Sequence, residues 1–246
     1  MFKNGGITHY PKKEFWKVIL LLITEAFLVI LLVVGLIFHL KFNSYLSIPF
    51  AAFFILLPYH FEKKYSVKIN AFIFIFIILY ILFGFLMGFT LNFFVKYPLW
   101  DKIMHLFCGI LFAIIGYYHM SFQKGANIGL GTKSLFGLSF PLFIEVDWEI
   151  FEFCLDRLFD RDYQTDTLVT NIYTRFLSGE QGKVISIENI NSVIVNNSPL
   201  PGYLDIGLTD TMYDLIVTLA GAMIVVLFLN IDNGRHPLFV SRDKSE

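Results

Sequence analysis

The residues able to do chemistry gather in three short stretches. In Phe143–Asp156, FIEVDWEIFEFCLD, an apolar run is interrupted by Glu145, Asp147, Glu149, Glu152 and Asp156. On a helix, Glu145, Glu149, Glu152 and Asp156 follow the i, i+4, i+7, i+11 spacing and share one face, while Asp147 points away. The second stretch, Asp101-Lys102-Ile103-Met104-His105, sets an acid and an imidazole four residues apart. The third, Asp210-Thr211-Met212-Tyr213-Asp214, repeats that spacing with two acids. Asp, Glu and His side chains bind divalent metals. They act as general acids and bases when burial moves a carboxyl pKa toward neutrality, and a chain of them relays protons. The candidate catalytic set is His105, Glu149, Glu152 and Asp214. The candidate metal set is Asp101, His105, Glu152, Asp210 and Asp214, and the cofactor it would hold is a divalent metal.

A carboxylate at the centre of a membrane helix costs about 2.5 to 3.5 kcal/mol, and each Leu, Ile or Phe returns about 0.3 to 0.6 kcal/mol. The acidic face is therefore expected to line a bundle interior or a wet cavity. A plainer role stands beside each functional one. The acids of Phe143–Asp156 can serve as hydrogen bonds between helices. Asp101 and Asp210 stand where helix N-caps belong. His105 can be a lone hydrogen-bonded histidine, and Glu25, inside the first apolar run, reads as a structural partner. Arg157 and Arg161 follow the acidic face as counterions, and Cys108 and Cys154 read as packing residues. The chain has no GxSxG, Walker loop, HExxH or CxxC, and no Ser-Gly-His element of the lipid-phosphatase kind.

The elements that must position these residues are membrane helices. Of 246 residues, 56% are hydrophobic and only 16% charged, where a soluble domain has about 25% charged. Several apolar runs are long enough to span a bilayer. The net charge of −1 carries no electrostatic footprint for nucleic acid. The expected fold is an all-α polytopic membrane protein of about six transmembrane helices in one integral domain, with spans near 15–40, 46–61, 69–94, 101–120, 134–159 and 210–231. The first run is too long for a cleaved signal peptide and lacks a small-residue cleavage site, so it is expected to remain as the first span. Pro49 and Pro58 suggest a short or tilted second span. Gly84-x-x-x-Gly88 in the third reads as a place where another helix approaches closely. Between spans five and six lies a polar insertion, 160–209, expected to form a small extracytoplasmic loop domain. Val184–Ile187 and Val193–Val195, with Asn196-Asn197 as a turn, predict a β-hairpin in it.

Orientation follows from the loop cations. With the N-terminus inside, the inner segments 1–17, 59–68, 120–133 and 231–246 hold 12 of the 19 Lys and Arg residues. Both termini are then expected in the cytoplasm. His105 and Asp214 each lie about 6 Å inside the start of their helix, and Glu152 lies about 6 Å inside Asp156. The three are expected to share one depth near the outer surface, with Glu149 about a turn below.

Asp101-Lys102-x-x-His105, Glu149-x-x-Glu152 and Asp210-x-x-x-Asp214 with Gly221-Ala222 together resemble the YjdF-type bacterial inner-membrane proteins, over about residues 100–225. The likeness to the VanZ-like family is more distant: those proteins have Glu-x-x-Gln where this chain has Glu149-x-x-Glu152, and they lack so long a loop. The resemblance implies a multi-pass protein of the bacterial cytoplasmic membrane and supplies no reaction. The expected function is an outward-facing Asp/Glu/His site that binds a cation or a lipid head group, in envelope lipid chemistry, with the bilayer or a lipid-linked envelope substrate as partner. A proton- or cation-coupled transporter and a non-catalytic membrane scaffold are the alternatives.

Overall fold

The computed structural model describes residues 14–39, 42–65, 68–121, 128–232 and 239–240. Of the cations used for orientation, Lys3, Lys12, Lys13, Lys41, Lys124, Arg235, Arg242 and Lys244 lie outside the described residues. In chain order the elements are α1 (Phe15–Phe38), α2 (Phe42–Tyr65), β1 (Lys68–Ile69), α3 (Ala71–Ile81), α4 (Phe93–Lys96), α5 (Pro98–Ser121) and α6 (Leu130–Phe159). Then come β2 (Thr167–Val169), β3 (Ile172–Thr174), β4 (Ile185–Ile187), β5 (Val193–Val195), β6 (Ser198–Leu200), β7 (Tyr203–Asp205), α7 (Leu208–Asp232) and β8 (Phe239–Val240). The chain divides into two compact units, residues 1–107 with 228–246, and residues 108–227.

In the first unit, α1 and α2 pack side by side. α1 leaves Leu22, Ile23, Ile30 and Ile37 exposed, as a helix facing lipid does. α2 runs 24 residues with Pro49 and Pro58 inside it, longer than the expected 46–61. α3 starts at Asn70, whose side chain accepts the Phe72 N–H at 2.8 Å and so satisfies one of the free donors of the first turn. It continues as a π-helical segment, Leu82–Thr90. That segment lays Phe85 against Phe50 and Phe54 of α2, with ring centroids 6.2 and 5.5 Å apart. The two glycines there each meet another helix, through its side chains rather than its backbone. Gly88 makes room for the ring of Phe94 from α4, and Gly84 faces the Met104 side chain.

The same unit contains a buried ion pair. Lys17 reaches Glu62 at 2.6 Å, Glu14 at 2.7 Å and the Ile69 carbonyl at 2.8 Å. Glu62 also accepts the Ile69 N–H at 2.6 Å. These bonds tie β1 to the start of α1 and the end of α2. β1 in turn pairs antiparallel with β8.

In the second unit, the later part of α5 packs with α6 and α7 through small residues. The Gly109 Cα lies against the Thr218 carbonyl and the Ala222 N–H of α7. Gly116 lies against Phe136 and Phe140 of α6, and Gly137 of α6 against Val226 and Tyr117. A Cβ at Gly137 would come within 2.7 Å of Val226 Cγ2. Without a hydrophobic drive in lipid, such close backbone approach is what holds helices together. Gly109 of α5 meets Thr218 of α7, and Gly137 meets both Tyr117 of α5 and Val226 of α7, so α5 and α7 run parallel here. α6, entered through a short connection and left through the loop, runs against both.

Five described helices are long and apolar enough to cross a membrane: Phe15–Phe38, Ser44–Lys64, Ala71–Thr90, Pro98–Met120 and Leu208–Asp232. α6 has the length, at 30 residues, but its acids keep it out of that set. The insertion after α6 forms three separate two-stranded antiparallel ladders. β2 pairs β7 and closes its base, β3 pairs β4, and β5 pairs β6. Asn196 and Asn197 have φ of 48° and 64°, the left-handed pair that a two-residue hairpin turn requires. The turn is where the sequence puts it, but its strands are β5 and β6. The Val184–Ile187 stretch pairs with Ile172–Thr174 instead, because a two-residue turn leaves β5 only the segment directly after it as a partner.

Candidate functional site

α6 turns its acids as the spacing requires. Glu145, Glu149 and Glu152 are buried, Asp156 is half-buried and Asp147 is exposed. On α7, Asp214 is buried with 1% of its surface exposed, and Thr218 one turn on is fully buried. Buried carboxylates without compensation would cost several kcal/mol each, so what surrounds them matters. Glu149 Oε2 accepts the Thr211 hydroxyl at 2.6 Å and the Gln164 amide at 3.3 Å. Gln164 Nε2 also donates to Thr211 Oγ1 at 2.7 Å. One donor chain therefore joins α6, the loop and α7, and every proton in it points toward Glu149. Glu152 accepts the Trp148 indole N–H at 2.8 Å, four residues back on its own helix.

The loop that supplies Gln164 is strapped down by the flanking acids. Asp156 accepts the backbone N–H groups of Tyr163 at 2.7 Å and Gln164 at 2.9 Å. Asp210 accepts the Thr165 N–H at 2.9 Å. Capping of α7 falls instead to Asp205, which takes the Thr209 N–H at 2.7 Å. The N-cap role open to Asp210 is therefore not the one it plays. Gly207, between Asp205 and α7, has φ of +113° and leaves no space for a side chain: a Cβ would meet Gln164 Cβ at 2.7 Å. Around this strap the field is negative. Burial first, then the charges of Asp166, Asp156 and Asp210, raise the Asp162 pKa above the ordinary aspartate value. Burial is also the main cause that raises Tyr163.

Asp101 and His105 belong to the first unit. α5 begins at Pro98, a favoured first helical residue, so Asp101 stands inside the first turn and not at the N-cap. Its Oδ1 lies 3.1 Å from His105 Nε2 and its Oδ2 3.2 Å from Lys102 Nζ. His105 is buried. The i, i+4 pairing read from the sequence is thus a direct contact.

Of the candidate residues, Glu149, Glu152 and Asp214 are buried within the second unit, where Glu149 is linked to α7 through Thr211. Asp210 serves the strap. Sequence reasoning passed over Gln164, Thr211 and Trp148. Thr211 carried a signal, since it precedes Asp214 by three residues and so shares its helix face. Gln164 carried none, because a loop residue has no periodicity. Chemically, the set in the second unit offers several carboxylate oxygens, a hydroxyl and an amide. Such oxygen-rich donors suit hard cations and proton transfer.

No curated protein and no solved structure matches the chain. Residues 19–235, nearly its whole length, match the model of the family described as predicted membrane protein (DUF2238), and the chain belongs to that family.

Proposed function

We propose that the buried acids of α6 and α7 form a site for a cation or a cationic lipid head group, used in envelope lipid chemistry at the outer side of a bacterial cytoplasmic membrane. Glu149, Glu152 and Asp214 are its core, and Asp210 and Asp156 hold its strap. The observation that carries the reading is the burial of Glu145, Glu149 and Glu152 on one face of a single helix. Stacked carboxylates repel one another, and packing alone has no use for three. α6 is read as a sixth span because it packs antiparallel along α5 and α7 within its unit.

The test is thermal unfolding in detergent of the wild type, Glu149→Gln, Glu152→Gln and Asp214→Asn, each with and without a divalent cation. A Gln side chain keeps the acceptor oxygen that the donors of Thr211, Gln164 and Trp148 need, and removes only the charge. Both Gln variants are expected to melt at or above the wild-type temperature, as relieved sites commonly do. The cation should raise the wild-type melting temperature and leave Asp214→Asn unmoved, since a ligand stabilises only the state that binds it. Lower stability in both Gln variants, with no cation response in the wild type, would leave the acids a scaffold role and end the proposal.

A further inference from the structure

The insertion between α6 and α7 has almost no interior. Between residues 160 and 207 only Gly202 and Gly207 are buried, so no apolar side chain is. Its strands form three isolated pairs, and an isolated two-stranded hairpin is marginal in water. Yet it displays large apolar side chains, most of all on the β3–β4 hairpin. Phe176 is 93% exposed and Tyr173 75%, with Leu177 and Val184 beside them also exposed. The display is built, not frayed. Ser178 closes the turn by bonding the Arg175 carbonyl through its N–H at 3.2 Å and its hydroxyl at 2.8 Å. The Phe176 N–H is taken by Thr174 Oγ1 at 3.1 Å. A folded turn thus holds Phe176 and Leu177 at its apex, where single exposed apolar residues would need no explanation but a rigid aromatic tip does.

Charge chooses the occupant. The tip carries Arg175 and Lys183 against Glu180, the last paired with Lys183 at 2.7 Å. The rest of the insertion sets Asp160, Asp162, Asp166, Glu188 and Asp205 against Arg161 alone. The cationic end of an otherwise acidic loop is therefore the end that carries its two most exposed aromatics, Phe176 and Tyr173. Aromatic and cationic side chains together are what the head-group region of an anionic bilayer selects. The bilayer is at hand, because the base of the loop is pinned to the ends of two membrane helices by Asp156 and Asp210. We infer that the β3–β4 tip, Tyr173–Lys183, rests in the head-group layer of the protein's own membrane, with Phe176 and Leu177 immersed and Arg175 against lipid phosphate.

The experiment attaches an environment-sensitive fluorophore at Phe176→Cys, and at Asn197→Cys as control, in a Cys108→Ser/Cys154→Ser background. Both proteins are reconstituted into phosphatidylcholine vesicles with roughly one quarter phosphatidylglycerol. The label at 176 should emit to the blue of the label at 197, lose its quenching by aqueous iodide and gain quenching by head-group nitroxide lipid. Arg175→Glu with Lys183→Glu should reverse all three. Equal iodide quenching at both sites would overturn the inference. So would protection at 176 that appears only as protein density in the vesicles rises, since that marks a second copy as the occupant. If the cysteine-free background fails to fold, amide exchange on the unaltered protein replaces it. Slower exchange of 173–183 in nanodiscs of that lipid mixture than in detergent supports the inference, and equal exchange defeats it.

Discussion

At the residue scale the strap over Glu149 depends on a glycine. Gly207 combines φ of +113° with the close approach of Gln164, so a side chain there meets both backbone strain and a clash. Gly207→Ala is expected to cost about 1 to 3 kcal/mol from the backbone alone and to displace Gln164 as well. Gly179, with φ of +69° and open space around it, should tolerate alanine better. Melting curves of the two variants check this, and equal losses would mean that the Gln164 contact has no weight. Asp162 gives a pH prediction. Its pKa is raised by burial and by the acids near it, so the folded state holds the proton more tightly than the unfolded chain. Stability from this group therefore falls as pH rises through the raised value. Asp162→Asn should raise the melting temperature slightly at neutral pH and converge with wild type below the ordinary aspartate range. The gain should shrink in salt, because the group is only partly withdrawn from water and the charges of its neighbours are screened. A variant that melts lower than wild type at neutral pH would contradict the sign.

At the element scale the ends of α1, α2 and β1 are joined by one buried cation. Lys17 is 1% exposed and sits between Glu62, Glu14 and the Ile69 carbonyl. Removing one partner of a buried pair strands the other, at about 3 to 5 kcal/mol. Lys17→Met is expected to fall in that range. Lys17→Met with Glu62→Gln should recover much of the loss, because the amide removes the stranded charge and still accepts the Ile69 N–H. Thermal unfolding of the singles and the double gives the coupling. A single variant no worse than the double would show that the pair contributes nothing.

At the scale of the whole molecule the open question is which side each end faces. The pairing of Lys68–Ile69 with Phe239–Val240 puts the C-terminal strand beside the connection between α2 and α3. One side must therefore hold both, and we propose from the loop cations that it is the cytoplasmic side. Cysteines introduced at 165–205 are expected to react with an impermeant reagent applied from outside, and those at 63–68 and 124–133 to stay protected. The reverse pattern would carry the acidic site to the cytoplasm.

Much of this protein was legible in its residues. Long apolar runs placed the helices, because a bilayer of fixed thickness demands a fixed length of apolar chain. The period of the helix placed Glu145, Glu149 and Glu152 on one buried face and Asp147 on the other. The YjdF-type likeness, read from the spacing of Asp101, His105, Glu149, Glu152, Asp210 and Asp214, agrees with the family that residues 19–235 match. What the sequence could not state were contacts between residues far apart along the chain. Glu62 meets Lys17 from 45 residues away. Gln164 and Thr211 are 47 residues apart, and nothing in either segment names the other. The strand pairs of the insertion shared the same weakness: several short β-rich stretches of equal propensity left the pairing undetermined. Asp101 and Asp210 stood at cap positions by sequence, and only the true helix starts and the path of the chain gave one to His105 and the other to the backbone of Thr165. Periodicity is a local property that a chain carries with it, whereas hydrogen-bond partners are chosen by the fold.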